Sequence, residues 1–140
     1  MNPIELRSRR EALGLSQVSL ADLLGVKQDK VSLWECGKRP IPEGIDRHLA
    51  EWEETVEELV DAAGETIERI EAADGCPAEP LVLAVFSSDE ALWVAHPEMD
   101  GTPAVLHRVA MARTRAMFPE LCVLDEWVEG VRVMGVSGDD

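Results

Sequence analysis

The chain is poor in the features that mark secreted, membrane-spanning or metal-built proteins. Its three cysteines, Cys36, Cys76 and Cys122, are odd in number and form no CxxC pair. Neither a disulfide framework nor a zinc site is indicated, and a reducing compartment suits them. His48, His96 and His107 are scattered without metal-ligand spacing, so no metal and no cofactor is expected. The opening residues MNPIELRSRR lack the apolar region of a signal sequence. The longest strongly apolar run, Leu81 to Phe86, falls far short of the roughly 20 residues that a membrane-spanning helix needs. A soluble, cytoplasmic protein with no membrane contact is the expectation. No nucleophile sits beside a base, no glycine-rich loop could cradle a phosphate, and no carboxylates pair at an informative spacing, so an enzyme is not expected.

Basic residues are scarce too: 13 Lys and Arg stand against 28 Asp and Glu, a net charge of −15. That balance opposes nucleic-acid binding, whose sequence-independent part comes from neutralising phosphates. The deficit is unevenly placed, however. Residues 1–50 hold eight Lys and Arg against seven Asp and Glu, whereas residues 51–140 hold five against 21. The acid lies outside the first third of the chain, where it serves solubility or repels non-cognate DNA. A length of 140 residues and 46% hydrophobic composition allow one domain or two small ones with a folded core.

What is present in that first third is a pair of short helical patterns about a tight turn, SQVSLADLLGVKQDKVSLWECG from Ser16 to Gly37. Ser16 is suited to cap a helix carrying Leu20, Leu23 and Leu24 on one face, and Gly25 supplies the turn. A second helix from about Gln28 to Glu35 would turn Val31 and Trp34, with part of Leu33, inward, and Gln28, Asp29, Lys30 and Ser32 outward. Two helical turns cannot stand alone, so this helix must lean on the one before it. It leaves exposed a short, hydrogen-bonding surface of the kind a helix in a DNA major groove needs. An ordinary surface helix would read the same way.

From about Glu5 to Pro42 the pattern LxxxREALGLSQxxLADLLGVxQxxVSxWExGKRPIP resembles the helix-turn-helix domain of the Xre, or lambda-repressor-like, transcription regulators. The resemblance implies roles for matching positions. Gln17 would hold a phosphate together with its helix N-terminus. Gln28, Asp29, Lys30, Ser32 and Leu33 would face base edges or the nearby backbone, Gln pairing adenine, Asp accepting from cytosine and Leu33 meeting a thymine methyl. Lys38 and Arg39 would grip phosphates. With Lys27, these complete the expected DNA-contacting set. Arg10 and Glu35 match a structural ion pair between the first and third helices.

Two positions depart from the family pattern. Lys27 stands where a Ser or Thr cap is usual, at a cost on the order of 1 kcal/mol, and Asp29 could offset this through the helix dipole as readily as it could read a base. Ser19 replaces the usual Glu and removes the capping box.

In chain order, Pro3 to Ala12 reads as a helix anchored by Ile4, Leu6 and Leu13, ended by Gly14. After GKRPIPEG, an apolar seam of Ile45, Leu49, Trp52, Val56, Leu59, Ala63, Ile67 and Ile70 predicts helix over 43–73, either bent near Gly64 or split there. So long a seam needs a partner. Trp52, Val56, Leu59, Ile67 and Ile70 are the candidate dimer contacts, with internal packing the alternative; two heads on a palindrome favour the dimer. Residues 74–80 read as a linker.

Beyond it, the pattern predicts a strand over 81–86, a helix from about Ser88 to His96 and a short strand over 104–106. A helix over 107–118 follows, with Val109, Ala112, Ala116 and Met117 inward, then strands over 121–124 and 131–136. The expected fold is a mainly α helix-turn-helix domain over 1–42, a long helix, and a small α+β domain over 81–140 serving dimerisation. This order also resembles, over 72–118, the YdiL-like regulators, which include anti-CRISPR-associated autorepressors of phages and whose C-terminal domain dimerises.

Two functions follow. One is a homodimeric, sequence-specific repressor of its own operon, bound to double-stranded DNA at an inverted repeat. The other is an antitoxin-like module whose C-terminal half binds a partner protein or a small-molecule effector.

Overall fold

The computed structural model describes residues 1–128; the strand expected over 131–136 lies outside them. Contacts divide the chain into two units, Met1–Glu54 and Thr55–Asp140.

In the first unit, α1 (Pro3–Ala12) begins where Asn2 accepts from the Glu5 amide at 2.8 Å, with proline at the first helical position. Leu6, Arg10 and Leu13 are its buried side, spaced by four and three as one helix face requires. Ile4, expected as an anchor, is 65% exposed; the inward stripe runs through a charged residue, Arg10, and this hid its true phase. The next helix, α2 (Gln17–Leu24), is capped by Ser16, which accepts from the Ser19 amide at 3.0 Å while the two serine hydroxyls pair at 2.9 Å. Leu20 and Ala21 carry its burial, and Leu23 faces outward. Gly25 adopts φ +71°, a conformation that costs other residues roughly 1–2 kcal/mol. The chain then enters α3 (Gln28–Glu35), which buries Val31 and Trp34.

One long helix, α4 (Gly44–Asp74), passes through Gly64 without a break. Of the five candidate dimer contacts along it, Val56 and Ile67 are fully covered within the single chain. Trp52, Leu59 and Ile70 keep part of their apolar surface exposed. Internal packing therefore uses a good part of the seam.

The second unit contains a two-stranded parallel sheet. β1 (Leu81–Val85) pairs with β2 (Cys122–Glu126) in register Leu81 to Cys122 through Val85 to Glu126. Parallel strands need a long crossover, provided here by α5 (Asp89–Ala95), a 3₁₀ turn (Pro97–Met99) and α6 (Ala104–Met117). Ser88 caps α5 by accepting from Ala91 N at 3.1 Å. Residues 104–106, expected as a strand, are the first turn of α6. The amide of Ala104 donates to Asp89 Oδ1 at 2.7 Å, so the helix start is fixed by a side chain distant in sequence, a cap that no local pattern could reveal.

The face of α6 also differs from expectation. Leu106, His107, Ala110, Met111 and Thr114 are buried, while Ala112, Ala116 and Met117 are exposed and Val109 is half-buried. Two polar residues sit on the inward stripe, and Thr114 tolerates burial because its hydroxyl donates to the Ala110 carbonyl at 2.8 Å. Among the described residues no helix is long and apolar enough to cross a membrane.

Candidate nucleic-acid interface

Two helices and a turn build the site. The left-handed Gly25 lets the Val26 amide reach back to the Ala21 carbonyl at 3.0 Å, closing α2 and starting α3 in a new direction. At α3's own start Lys27 makes no side-chain cap, and only backbone joins Lys30 N to Lys27 O at 3.0 Å. Asp29 lies exposed in this first turn, where a negative charge meets the positive end of the helix dipole.

Burial separates the candidate contacts cleanly. Lys27, Gln28, Asp29 and Lys30 are exposed, Gln17, Ser32 and Leu33 are half-buried, and Lys38 and Arg39 are exposed beyond the end of α3. The loop carrying the last two is pinned, since the Leu33 carbonyl accepts from the Lys38 amide at 2.9 Å and from the Arg39 amide at 3.2 Å. Gly37, at φ +77°, makes that return possible. All nine residues thus keep surface open to solvent.

Beneath them runs a polar network. Arg10 reaches Glu35 with Nε to Oε2 at 2.6 Å and Nη2 to Oε1 at 3.0 Å, a two-point grip that also gives its Nη1 to the Leu15 carbonyl at 2.7 Å. Both side chains are under a tenth exposed. Burial alone would favour a neutral Glu35, yet hydrogen bonds from Arg10 and Gln17 outweigh it and hold the carboxyl below its ordinary range. Hydrogen bonding to Glu35 likewise raises Arg10. Gln17 Nε2 donates to Glu35 Oε1 at 3.0 Å, and Gln17 Oε1 accepts from Gln28 Nε2 at 2.7 Å. Arg10, Glu35, Gln17 and Gln28 are therefore one chain of bonds from the buried side of α1 to the exposed start of α3.

This coupling was not expected from the sequence. It leaves Gln28 one amide hydrogen and its carbonyl oxygen, the donor and acceptor that adenine requires in the major groove. Sequence reasoning also passed over Arg7. It lines an open recess of about 290 Å³ with Arg10, Gln17, Ser32, Glu35 and Cys36, and it holds Glu11 at 3.2 Å on the exposed face of α1. Its signal was its place three residues before Arg10, one helical turn away.

A family model described as a helix-turn-helix domain matches residues 4–73, half of the chain. No curated protein matches it.

Proposed function

The chain belongs to the helix-turn-helix domain family of DNA-binding regulators, and on that premise we propose that it reads a specific DNA sequence with α3 as a homodimeric autorepressor of the Xre kind. The observation that carries this reading is the exposed polar start of α3, held in place by the Arg10–Glu35–Gln17–Gln28 network. Gln17 links the buried Arg10–Glu35 pair at the end of α3 to Gln28 at its start. In this reading Gln28 addresses a base edge, Lys30 and Ser32 address bases or the adjoining backbone, and Leu33 meets a thymine methyl. Gln17, Lys27, Lys38, Arg39 and Arg7 contact phosphates and fix the register. Asp29 supports the helix start.

A single recognition helix covers only a few base pairs, so two copies on an inverted repeat supply the rest of the affinity. The apolar surface left exposed on Trp52, Leu59 and Ile70, together with exposed Val123 and Leu124 on β2, offers material for that pairing. Of the order over 72–118 that resembles the YdiL-like, anti-CRISPR-associated group, whose members use this part to dimerise, β1, α5 and α6 remain, whereas the short strand expected over 104–106 is helix. The chain acts in this reading by binding rather than by catalysis.

Titrating the protein against the DNA upstream of its own gene, beside a scrambled duplex of equal length at two salt concentrations, tests the reading. Tight binding of two chains to the native duplex alone is expected. Because the first 50 residues are nearly neutral, that binding should weaken less with salt than it does for a strongly basic repressor. Equal, weak and steeply salt-dependent binding to both duplexes would overturn the proposal.

A further inference from the structure

Two arginine–glutamate pairs stand at the recess lined by Arg7, Arg10, Gln17, Ser32 and Glu35, and they are built differently. Arg10 and Glu35 join at two points, 2.6 and 3.0 Å, with side chains 8% and 5% exposed. Arg7 and Glu11 join at one, Nε to Oε2 at 3.2 Å, with side chains 59% and 54% exposed. The first pair is locked, and the second is open to water.

Arg7 also differs from the other cations assigned to the DNA-facing surface. Among the described residues Lys27, Lys30, Lys38 and Arg39 hold no carboxylate, whereas Arg7 does. A phosphate that meets this guanidinium must share it with Glu11 or draw it away. The exchange is an easy one, because an exposed ion pair is worth little, and Arg preceding Glu by four positions is the less favoured order on a helix. Glu11 Oε2 lies 3.9 Å from Arg10 Nη2 as well, so the carboxylate keeps a cation beside it when Arg7 leaves. Residues 1–50 carry eight Lys and Arg against seven Asp and Glu, and in so nearly neutral a head one cation held back is a large part of the attraction for DNA.

We propose that Glu11 is a built-in competitor of DNA: in the free chain it neutralises Arg7, and a backbone phosphate must win Arg7 from it, which lowers the affinity of the head. The inference rests on the DNA-binding reading of this unit and adds to it a residue that acts against binding.

A double-mutant cycle tests it. Full-length wild type, Glu11→Gln, Arg7→Gln and the double variant are titrated at low salt against the native upstream duplex and its scrambled control. Glu11→Gln keeps the shape of the side chain and removes its charge. It should tighten the native duplex by about two- to fivefold, the weight of an exposed ion pair, and the scrambled duplex by no more. Arg7→Gln should weaken the native duplex and lower its salt slope by about 1. In the Arg7→Gln background most of the gain from Glu11→Gln should vanish, and in the wild type the Arg7 Nε resonance should move on saturation with DNA.

Equal tightening in both backgrounds would reduce Glu11 to a general charge effect and overturn the proposal. Weaker binding by Glu11→Gln would overturn it too, making Glu11 a support that orients Arg7, as would an unmoved Arg7 resonance. A wild type that binds both duplexes alike would overturn the reading of α3 while the cycle still decides for Glu11, and a wild type that binds neither would overturn both.

Discussion

Each unit buries an ionisable side chain, and the two treat it in opposite ways. In the first, Glu35 goes into the interior surrounded by donors: both Arg10 nitrogens and Gln17. In the second, His107 goes in with one ring nitrogen unmatched. Burial opposes charge in both cases, and partners reverse the outcome only for Glu35. A buried charge that is fully paired fixes a geometry, here that of Gln17 and Gln28. An unpaired buried group instead leaves an open hydrogen-bonding valence. The first arrangement suits a rigid reading head, and the second leaves a buried polar atom at a cost in stability.

The contrast can be broken hardest from the Glu35 side. Glu35→Ala leaves Arg10 buried without its anion and should cost about 3–5 kcal/mol, read as a fall in the denaturation midpoint. Replacing both partners with apolar residues should recover most of that loss; a double variant as weak as the single one would contradict the pairing argument. Such a pair is expected to be worth little over a well-packed apolar one, so its value lies in the placement of Gln17 rather than in stability.

The His107 side is tested by pH. The unfolded chain takes up a proton near 6.5 and the folded chain only near 4, so the unfolded state binds more protons between those values and stability falls as pH drops through that window. A shift of that size corresponds to about 3 kcal/mol. His107→Phe should flatten the profile between pH 6.5 and 4, while the steeper loss below pH 4 from Glu35 and Asp46, whose carboxyls are held low in the fold, should persist. A profile unchanged by the substitution would mean that His107 is not held neutral by burial.

A smaller effect concerns reading itself. Gln28→Ala should leave the fold intact and cost about 1–3 kcal/mol of discrimination at one base pair, seen as a relaxed preference in competition binding with single-base operator variants. Uniform weakening across all variants would reassign Gln28 to the backbone. Smallest is a gain: Lys27→Ser supplies the missing cap of α3 and should raise stability by about 1 kcal/mol, measured as a higher midpoint. No gain would mean that Asp29 already satisfies the helix start.

The two units also differed in how far the chain could be read without coordinates. The α2–turn–α3 pair was legible because its signals are local: Ser16 as a cap, Gly25 as a turn and Val31 with Trp34 as an inward stripe. Beyond residue 80 the decisive interactions are distant or polar. Asp89 begins a helix 15 positions away, and His107 and Thr114 occupy an inward face that apolar spacing alone assigns to Val109, Ala112 and Ala116. The same blindness misplaced Ile4, because Arg10 stands in the stripe that Leu6 and Leu13 share. The bonds joining Gln17 to Gln28 and Glu35 depend on helix crossing, which no spacing encodes.

The parallel pairing of β1 with β2 joins residues about 40 positions apart, Leu81 with Cys122, whereas the turns and caps of the first unit close over a handful of residues. Loop closure must be met before distant pairing rewards it, so during synthesis the first unit can settle while the second still awaits β2. At roughly 5–20 residues per second, the head that faces DNA has several seconds as a folded unit before the sheet can form. Any partner or ligand that recognises the sheet-bearing unit therefore meets a protein whose reading head is already formed.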